Sequence, residues 1–364
     1  MRRSPTLLVL LFLSVAAKSQ VDQYVISRQG SVVITPVYQT WTAKDEDVKF
    51  SEFSTILSAY LPLSRSASMT LAGGGAATGG DPAKLSGLTD VQMGFNYYAE
   101  SINTVFSLGI NAPTGKKELP HDQFLTSILL SHPLFNMQVP VWGQGFNVNP
   151  GVAWVFPVND NLVLGLAGGY QYRGKYKPIE GTGFYAPGGE VTASLGADYK
   201  LNSVSSLSAD FMLTAYGTDK FNDEEVFAAG NSYWFNLQYR YYIRENELQV
   251  FAGFRSTAKG KVAGVGGLVA EAERLEPGRF ETVVQFRQVF NRRFSLTYLG
   301  EVRIYENTVE AFSGSKVAGI GLGPTYSLPS GWFFPALVKV SFGGLKGGSS
   351  ITGFDGRIGI GYNI

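Results

Sequence analysis

The sequence predicts an all-β chain, a transmembrane antiparallel up-and-down β-barrel of about 16 strands, with 14 strands as the alternative. Three observations predict this class. From residue 31 onward, stretches of about ten residues alternate apolar and polar side chains, the period-two pattern of strands with one oily face. The connections between them are alternately short and long. No apolar run of the roughly 18 residues that indicate a transmembrane helix occurs beyond the N-terminal region.

The stretch 161–172 shows the alternation most clearly, because Leu162, Leu164 and Leu166 share one face while Val163 and Gly165 share the other. The predicted strands are 31–41, 50–61, 66–74, 87–98, 102–112, 145–156, 161–173, 189–200, 205–216, 232–243, 247–256, 280–290, 293–304, 315–328, 331–343 and 354–364. Connections after even-numbered strands are short, whereas those after odd-numbered strands are mostly long. This parity predicts turns and both termini on the periplasmic side, with long loops outside.

The N-terminal residues have the features of a secretion signal. Arg2 and Arg3 precede the apolar run 7–17, and small residues lead to an expected cleavage between Ser19 and Gln20. We therefore expect a signal peptide over 1–19, a single barrel domain over 20–364 and an outer-membrane location in a Gram-negative bacterium. Whether residues 20–45 form a strand or a plug stays open at this stage.

Charge and composition exclude several classes of function. Loss of three basic residues with the signal changes the formal charge from +1 to −2, so nothing indicates nucleic acid as a partner. Cysteine is absent, and the two histidines lie far from any carboxylate cluster in the sequence, so we predict no metal site and no cofactor. His121 beside Asp122 and Ser131 beside His132 do not make a catalytic pair, and we predict that the chain is not an enzyme.

The residues facing away from the oily side should line the lumen, where charge carries no lipid penalty. The lumen-lining candidates are Asp90, Asp198, Asp210, Arg240, Arg255, Arg287, Glu301, Arg303, Lys339 and Arg357. Each has a second interpretation, a structural ion pair that stiffens the wall, and the set as a whole is predicted to line a path.

Loop 113–144 is the longest connection, and loops of this length are usually functional. Residues 121–132 have the spacing of a short helix with Asp122 as N-cap. The predicted apolar face comprises the lid candidates Phe124, Leu125, Ile128 and Leu129. We expect this helix to pack into the barrel mouth as a lid or constriction; the alternative is a brace between outer loops.

Residues 86–95 and 107–116, together with Val139-Pro140 and 143–146, resemble outer-membrane barrels named for the meta pathway of phenol degradation. That family is related to the outer-membrane transporters for long-chain fatty acids and aromatic hydrocarbons. The resemblance implies a channel barrel for small hydrophobic compounds. Those transporters carry an Asn-Pro-Ala hatch signature, which residues 20–50 lack. The last residue is Ile364 where such barrels more often end in Phe.

These observations lead to three hypotheses. The first is passive uptake of small hydrophobic or aromatic compounds, constricted by loop 113–144. The second is a general hydrophilic porin that uses the mixed-charge lumen, and the third is a structural or secretion-associated barrel that binds partner proteins. The expected partners are outer-membrane lipid, the solute and the barrel-insertion machinery, with the oligomeric state open.

Overall fold

The computed structural model describes residues 29–44, 48–116, 118–310 and 312–364, so the predicted signal peptide lies outside the described residues. The strands are β1 Ser31–Ala43, β2 Val48–Pro62, β3 Ala67–Gly80, β4 Ser86–Leu88, β5 Val91–Ala99, β6 Thr104–Ala112, β7 Asn147–Pro157, β8 Leu162–Arg173, β9 Tyr185–Ala186, β10 Glu190–Asn202, β11 Ser205–Tyr216, β12 Thr218–Phe221, β13 Glu224–Ala228, β14 Ser232–Ile243, β15 Asn246–Thr257, β16 Lys261–Gly264, β17 Gly267–Ala270, β18 Arg279–Asn291, β19 Phe294–Tyr305, β20 Lys316–Ser327, β21 Trp332–Gly344, β22 Ser350–Ile358 and β23 Ile360–Asn363. Helix α1 spans His121–Ser131, and a 3-10 turn spans Glu100–Ile102.

The main sheet closes on itself. Each wall strand pairs antiparallel with its neighbours, and β1 completes the ring by pairing with β22 and β23. Because β4 with β5 and β22 with β23 each make one wall strand, the barrel has 16 strands, which confirms the predicted fold class. The part of the chain that the structure describes contains no helix long and apolar enough to cross a membrane.

Strand boundaries follow the alternation closely, with one substantial exception. We predicted a connector from residue 75, yet β3 continues to Gly80 and pairs with β2 throughout, from Pro62 opposite Ser68 to Phe50 opposite Gly80. Residues 72–80 are mostly Gly and Ala, which have no apolar contrast between faces, so the period-two signal disappears while the backbone still pairs.

The two ends of the barrel differ as the parity predicted. Tight turns join β2 to β3, β10 to β11 and β18 to β19 at one rim, the short-turn end. Longer connections, including loops 113–146 and 258–278, leave from the other rim, the long-loop end. Three connections that we predicted as irregular instead form a second sheet of five short strands in the order β17-β16-β13-β12-β9.

The two faces of the wall differ in chemistry. Large apolar residues on one face are exposed, such as Leu195 at 56% and Ile320 at 59%. The other face is mixed and mostly buried or half-buried: it has polar, charged and small residues, and apolar ones such as Trp41 and Phe50 in one arc. The apolar face is the outward one, because the opposite faces of β1, β2, β19 and β22 all contact a single segment of loop 113–144. A segment that touches so many strands of a closed ring lies inside it.

Candidate functional site

The segment inside the barrel is residues 133–142, which follow α1 and are named here the inserted segment. It is irregular, because residues 133–135 form a turn and Asn136 has a φ of 47°. Phe135, Met137 and Val139 are buried in the apolar clusters, while Asn136 and Gln138 between them are half-exposed. The inserted segment contains no Asp, Glu, Lys or Arg.

Polar side chains of the wall hold the backbone of the inserted segment. Gln39 Nε2 donates to the Asn136 carbonyl at 3.1 Å, and Gln39 Oε1 accepts from the Gln138 N–H at 2.6 Å. The indole Nε1 of Trp41 donates to the Phe135 carbonyl at 2.9 Å. These groups come from β1 and satisfy backbone atoms that a buried irregular segment otherwise leaves without partners.

Two further anchors lie on either side of β1. Glu52 of β2, which is 0% exposed, accepts from the Val139 N–H at 2.9 Å. Arg303 of β19 donates from Nη1 to the carbonyls of Pro133 and Leu134, at 3.0 and 2.9 Å. Arg303 also meets Glu301, which pairs with Lys339 of β21 at 3.0 Å. Hydrogen bonds to charged groups stabilise by about 1.5–3 kcal/mol each, so the inserted segment is firmly fixed.

Apolar packing strengthens the same attachment. The larger cluster surrounds Phe135 and Leu134, and the smaller surrounds Val139 and Trp142. Wall partners of the two clusters are Trp41, Phe50, Ile56, Ala76, Tyr305, Val317 and Ile351. Phe135 meets the rings of Trp41 and Phe50 edge-on, with centroids 5.7 and 4.8 Å apart. These partners belong to the arc from β19 through β22 and β1 to β3.

Asp90, between β4 and β5, joins the two ends of the long loop. Its carboxylate accepts from the Gly115 N–H and the Gln144 N–H, both at 2.8 Å, and from Asn111 Nδ2 at 2.8 Å. The sequence interpretation placed Asp90 among the lumen-lining candidates; in the structure its carboxylate is occupied by the base of the loop. The alternation indicates the face of a residue but not its partners.

Helix α1 begins at His121 and lies on loop 81–85, where Thr126 Oγ1 donates to the Ala83 carbonyl at 3.0 Å. The predicted N-cap was wrong: Pro120 occupies the N-cap position and Asp122 lies inside the first turn. Proline there fixes φ without a lost hydrogen bond, because the first N–H groups of a helix have no intrahelical partner. The helix ends at Ser131, one residue before the predicted end.

The four lid candidates divide into two pairs. Phe124 packs against the smaller apolar cluster and Leu129 against the larger one. Leu125 and Ile128 are 54% and 51% exposed. The buried positions of the helix are Thr126 and Leu130, so its packed face is rotated from the predicted one.

The remaining lumen candidates lie on the inward face of the wall. Arg303, Glu301, Lys339 and Arg357 belong to the arc that holds the inserted segment, and Arg357 pairs with Asp355. Asp198, Asp210, Arg240, Arg255 and Arg287 lie on β10, β11, β14, β15 and β18. This second group, together with its polar neighbours on those five strands, is named here the polar wall.

Near the long-loop end, two ion pairs connect the polar wall to neighbouring parts of the chain. Arg173 of β8 pairs with Glu190 of β10, and Arg255 pairs with Glu276 of loop 258–278 at 3.1 Å. Arg279, which lies opposite Arg255 in the register, pairs with Glu281 at 3.3 Å within β18. The inserted segment has no hydrogen bond or apolar cluster with these strands in the described residues, so its attachment is one-sided.

The second sheet, which sequence reasoning missed, stands above the polar wall at the long-loop end. Tyr185 of β9 donates its hydroxyl hydrogen bond to Asp219 of β12, and Asp219 also accepts from the Gly188 N–H at 2.7 Å. Burial raises the pKa of the Tyr185 hydroxyl, and the bond to Asp219 raises it further, so Tyr185 stays a donor at neutral pH. The start of the long loop joins this assembly through the Leu119 N–H and the Pro178 carbonyl, at 3.1 Å.

No protein family matches the chain, and its sequence is not significantly similar to that of any curated protein. Among solved structures it is similar to OprD of Pseudomonas aeruginosa, with a TM-score of 0.45 and 10% identity over 92% of this chain and 95% of that one. It is also similar to an outer-membrane channel of Pseudomonas putida F1, with a TM-score of 0.38 and 11% identity over 92% and 95% of the chains. CdiB from Acinetobacter baumannii gives 0.49 and 8% over 91% and 60%.

These values are too low to transfer a substrate or a partner. The predicted meta-pathway family is not confirmed by any of the comparisons.

Proposed function

We propose that the chain is a passive outer-membrane channel for small polar solutes, in which the inserted segment narrows the lumen and the polar wall forms the other side of the path. The observation that carries this proposal is the one-sided attachment of the inserted segment. Its anchors Gln39, Glu52 and Arg303 all belong to one arc of the wall. Among the described residues, no hydrogen bond or apolar cluster attaches the segment to the charged opposite arc.

The outer surface supports a membrane location. Exposed apolar side chains cover it on every side, and aromatic rings such as Tyr170, Tyr172 and Trp332 lie near strand ends, where interfacial girdles occur in such barrels. A soluble protein rarely exposes so continuous an apolar surface. The long-loop end would then face the exterior, and the short-turn end the periplasm.

The chemistry of the interior favours polar solutes. Both apolar clusters inside the barrel are filled by the chain's own side chains, since Leu134 and Trp142 are 0% and 1% exposed. A hydrophobic solute needs an apolar surface that is free to receive it. Charged groups in the lumen instead favour hydrated solutes and set their selectivity.

Uptake of small hydrophobic or aromatic compounds is the second candidate, and the exposure of Leu125 and Ile128 favours it. These two side chains form a small apolar surface on α1 at the long-loop end. The family resemblance in residues 86–95 and 107–116 implies the same class of solute.

Proteoliposomes containing the full chain test the channel proposal. We expect them to swell in sugars below a size limit, with initial rates that fall steeply as the sugar grows. Replacing residues 134–140 by a Gly-Ser segment of equal length removes the wall contacts while keeping loop length, and should raise the size limit. A Gly-Ser replacement of the exposed turn 346–349 is the control and should leave the limit unchanged.

Two results would contradict the proposal. Absence of sugar flux through the folded wild-type barrel would rule out the channel function. An unchanged size limit after replacement of 134–140 would rule out the constriction. Accumulation of a radiolabelled aromatic hydrocarbon by cells that produce the protein, lost in the double variant Leu125→Ser and Ile128→Ser while sugar flux persists, would favour the second candidate.

A further inference from the structure

The polar wall contains a compact group of charges that the ion pairs above do not involve. Asp198 of β10, Asp210 of β11 and Arg240 of β14 lie on the inward faces of three consecutive strands. In the sheet register Asp198 lies opposite Ser208, Asp210 lies between Gly196 and Asn236, and Arg240 lies opposite Ser206. The three charged residues therefore share one patch of the inner surface.

Some polar groups in this patch have no hydrogen-bond partner among the described residues. Asp198 accepts from the Ser208 hydroxyl and interacts electrostatically with Arg240. Asp210 interacts with Asp198 by repulsion and, among the described residues, has neither a hydrogen-bond donor nor an ion-pair partner. Beside it, the buried Asn236 Oδ1 also lacks a donor.

Arg240 instead has a hydrogen-bond donor without an acceptor. The residue is 7% exposed, and its buried Nη2 has no acceptor in the part of the chain that the structure describes. Buried polar groups in native proteins are almost always hydrogen-bonded, so an unmatched one indicates a partner that the described residues do not supply, such as water, an ion or a solute. Here two acceptors lack donors and one donor lacks an acceptor.

A ligand that satisfies both deficits carries an ammonium group and a carboxylate. An ammonium group has three N–H donors, and a carboxylate accepts a charge-assisted bond from a guanidinium. A simple cation would satisfy Asp210 but leave the Arg240 N–H without an acceptor. A simple anion would meet the guanidinium but also two carboxylates that repel it.

We propose that Asp198, Asp210, Asn236 and Arg240 form a binding site on the channel path for small zwitterions, with the ammonium group on Asp210 and Asn236 and the carboxylate on Arg240. This inference rests on the proposed channel function. The inserted segment adds no competing charge, because residues 133–142 are uncharged. Gly253, opposite Asn236 on β15, avoids a crowded contact, since a Cβ there would lie 3.0 Å from the Phe251 ring and 3.2 Å from Asn236 Oδ1.

Glycine and glycolamide test the proposal, because they are isomers of equal mass and only glycine is zwitterionic. We expect proteoliposomes of the wild-type chain to admit glycine several-fold faster than glycolamide. Asp210→Asn and Arg240→Gln should each bring the two rates together, whereas the charge-conserving Asp210→Glu should retain the preference. Arg287→Gln, which removes one inward charge on β18 outside the site, is the matched control for Arg240→Gln and should leave the preference unchanged.

Each other outcome is decisive. Equal rates in the wild-type chain, or a preference that survives both Asp210→Asn and Arg240→Gln, overturns the zwitterion site while sugar flux still supports a channel. If methylamine is favoured as much as glycine and Arg240→Gln has no effect, the site takes cations only and the proposal is wrong. Loss of all sugar flux in the wild-type chain would instead remove the channel itself. Arg240→Met, which also removes the charge and the donors, replaces Arg240→Gln if the latter fails to fold, judged by the mobility of unheated barrel in detergent gels.

Discussion

Gln39 and Gln138 are joined by the shortest hydrogen bond that holds the inserted segment, 2.6 Å from the Gln138 N–H to Gln39 Oε1. Gln39 Nε2 also donates to the Asn136 carbonyl, so the side-chain amide binds the backbone on both sides of Met137. A residue of a parallel strand makes the same two bonds with its own backbone. One glutamine side chain thus substitutes for a strand that the inside of the barrel does not contain.

Gln39→Glu should loosen the inserted segment, because a carboxylate accepts from the Gln138 N–H but cannot donate to the Asn136 carbonyl. The lost bond and the new repulsion should cost about 1–3 kcal/mol. Amide hydrogen exchange at residues 136–139 measures the effect. Tyr38→Phe, on the outward face of the same strand, serves as the control. Equal protection in Gln39→Glu and the wild-type chain would show that the amide pair does not hold the segment.

Arg303→Met removes a guanidinium that binds two consecutive carbonyls and should release the start of the inserted segment. The resulting proteoliposomes should admit larger sugars than the wild-type chain. Arg357→Met, which removes an inward arginine that pairs only with Asp355 in the described residues, provides the comparison. A size limit that rises equally in both variants would assign the effect to general loosening of the wall.

Asp90→Asn should weaken the base of the long loop, because an amide can keep only one of the two carboxylate oxygens that accept from Gly115 and Gln144. Each lost bond to a charged acceptor costs roughly 1.5–3 kcal/mol. We expect faster cleavage of loop 113–144 by added protease while the barrel stays folded. Asp81→Asn, which affects the exposed bond to the Lys49 N–H, is the control. A cleavage rate equal to that of the wild-type chain would show that Asp90 does not hold the two loop ends together.

Glu52→Gln should raise the thermal stability of the barrel. The Glu52 carboxylate is fully buried, and its Oε2 has no partner in the described chain, so it carries the penalty of an unpaired buried charge. A glutamine keeps the acceptor for the Val139 N–H and offers a donor toward the buried Ser54 Oγ, two residues along the same face. A melting temperature at or below that of the wild-type barrel would contradict this account; Glu52→Ala should lower it.

Period-two alternation predicted the barrel because it is the direct consequence of a wall whose two faces have different surroundings. It failed where the contrast between faces fails, as in the Gly and Ala run that extends β3 to Gly80. It also missed β12 and β13, which pair Thr218 with Ala228 and Phe221 with Glu224 in a second sheet outside the barrel wall.

The candidate site was predicted in part. The length of loop 113–144 predicted a functional role, but the predicted lid was the helix over 121–132 and not the segment that follows it. A signal for that segment was present: Phe135, Met137 and Val139 alternate with polar residues over a stretch enclosed by Pro133 and Pro140. The sequence could not predict the polar partners, because they are distant in the chain. Gln39 is 97 residues from Asn136, and Arg303 is 169 residues from Leu134.

These sequence separations have a consequence for assembly. Phe135 packs between the rings of Trp41 and Phe50, from the first two strands, and that of Phe312, which follows β19. All three partners come together only once β1 has met β22 and β23. Contacts between distant parts of a chain form late, because the entropy of closing the intervening loop comes first. Docking of the inserted segment therefore belongs to the last step of folding. In a chain that stalls before the ring closes, this segment would stay undocked and outside the barrel interior.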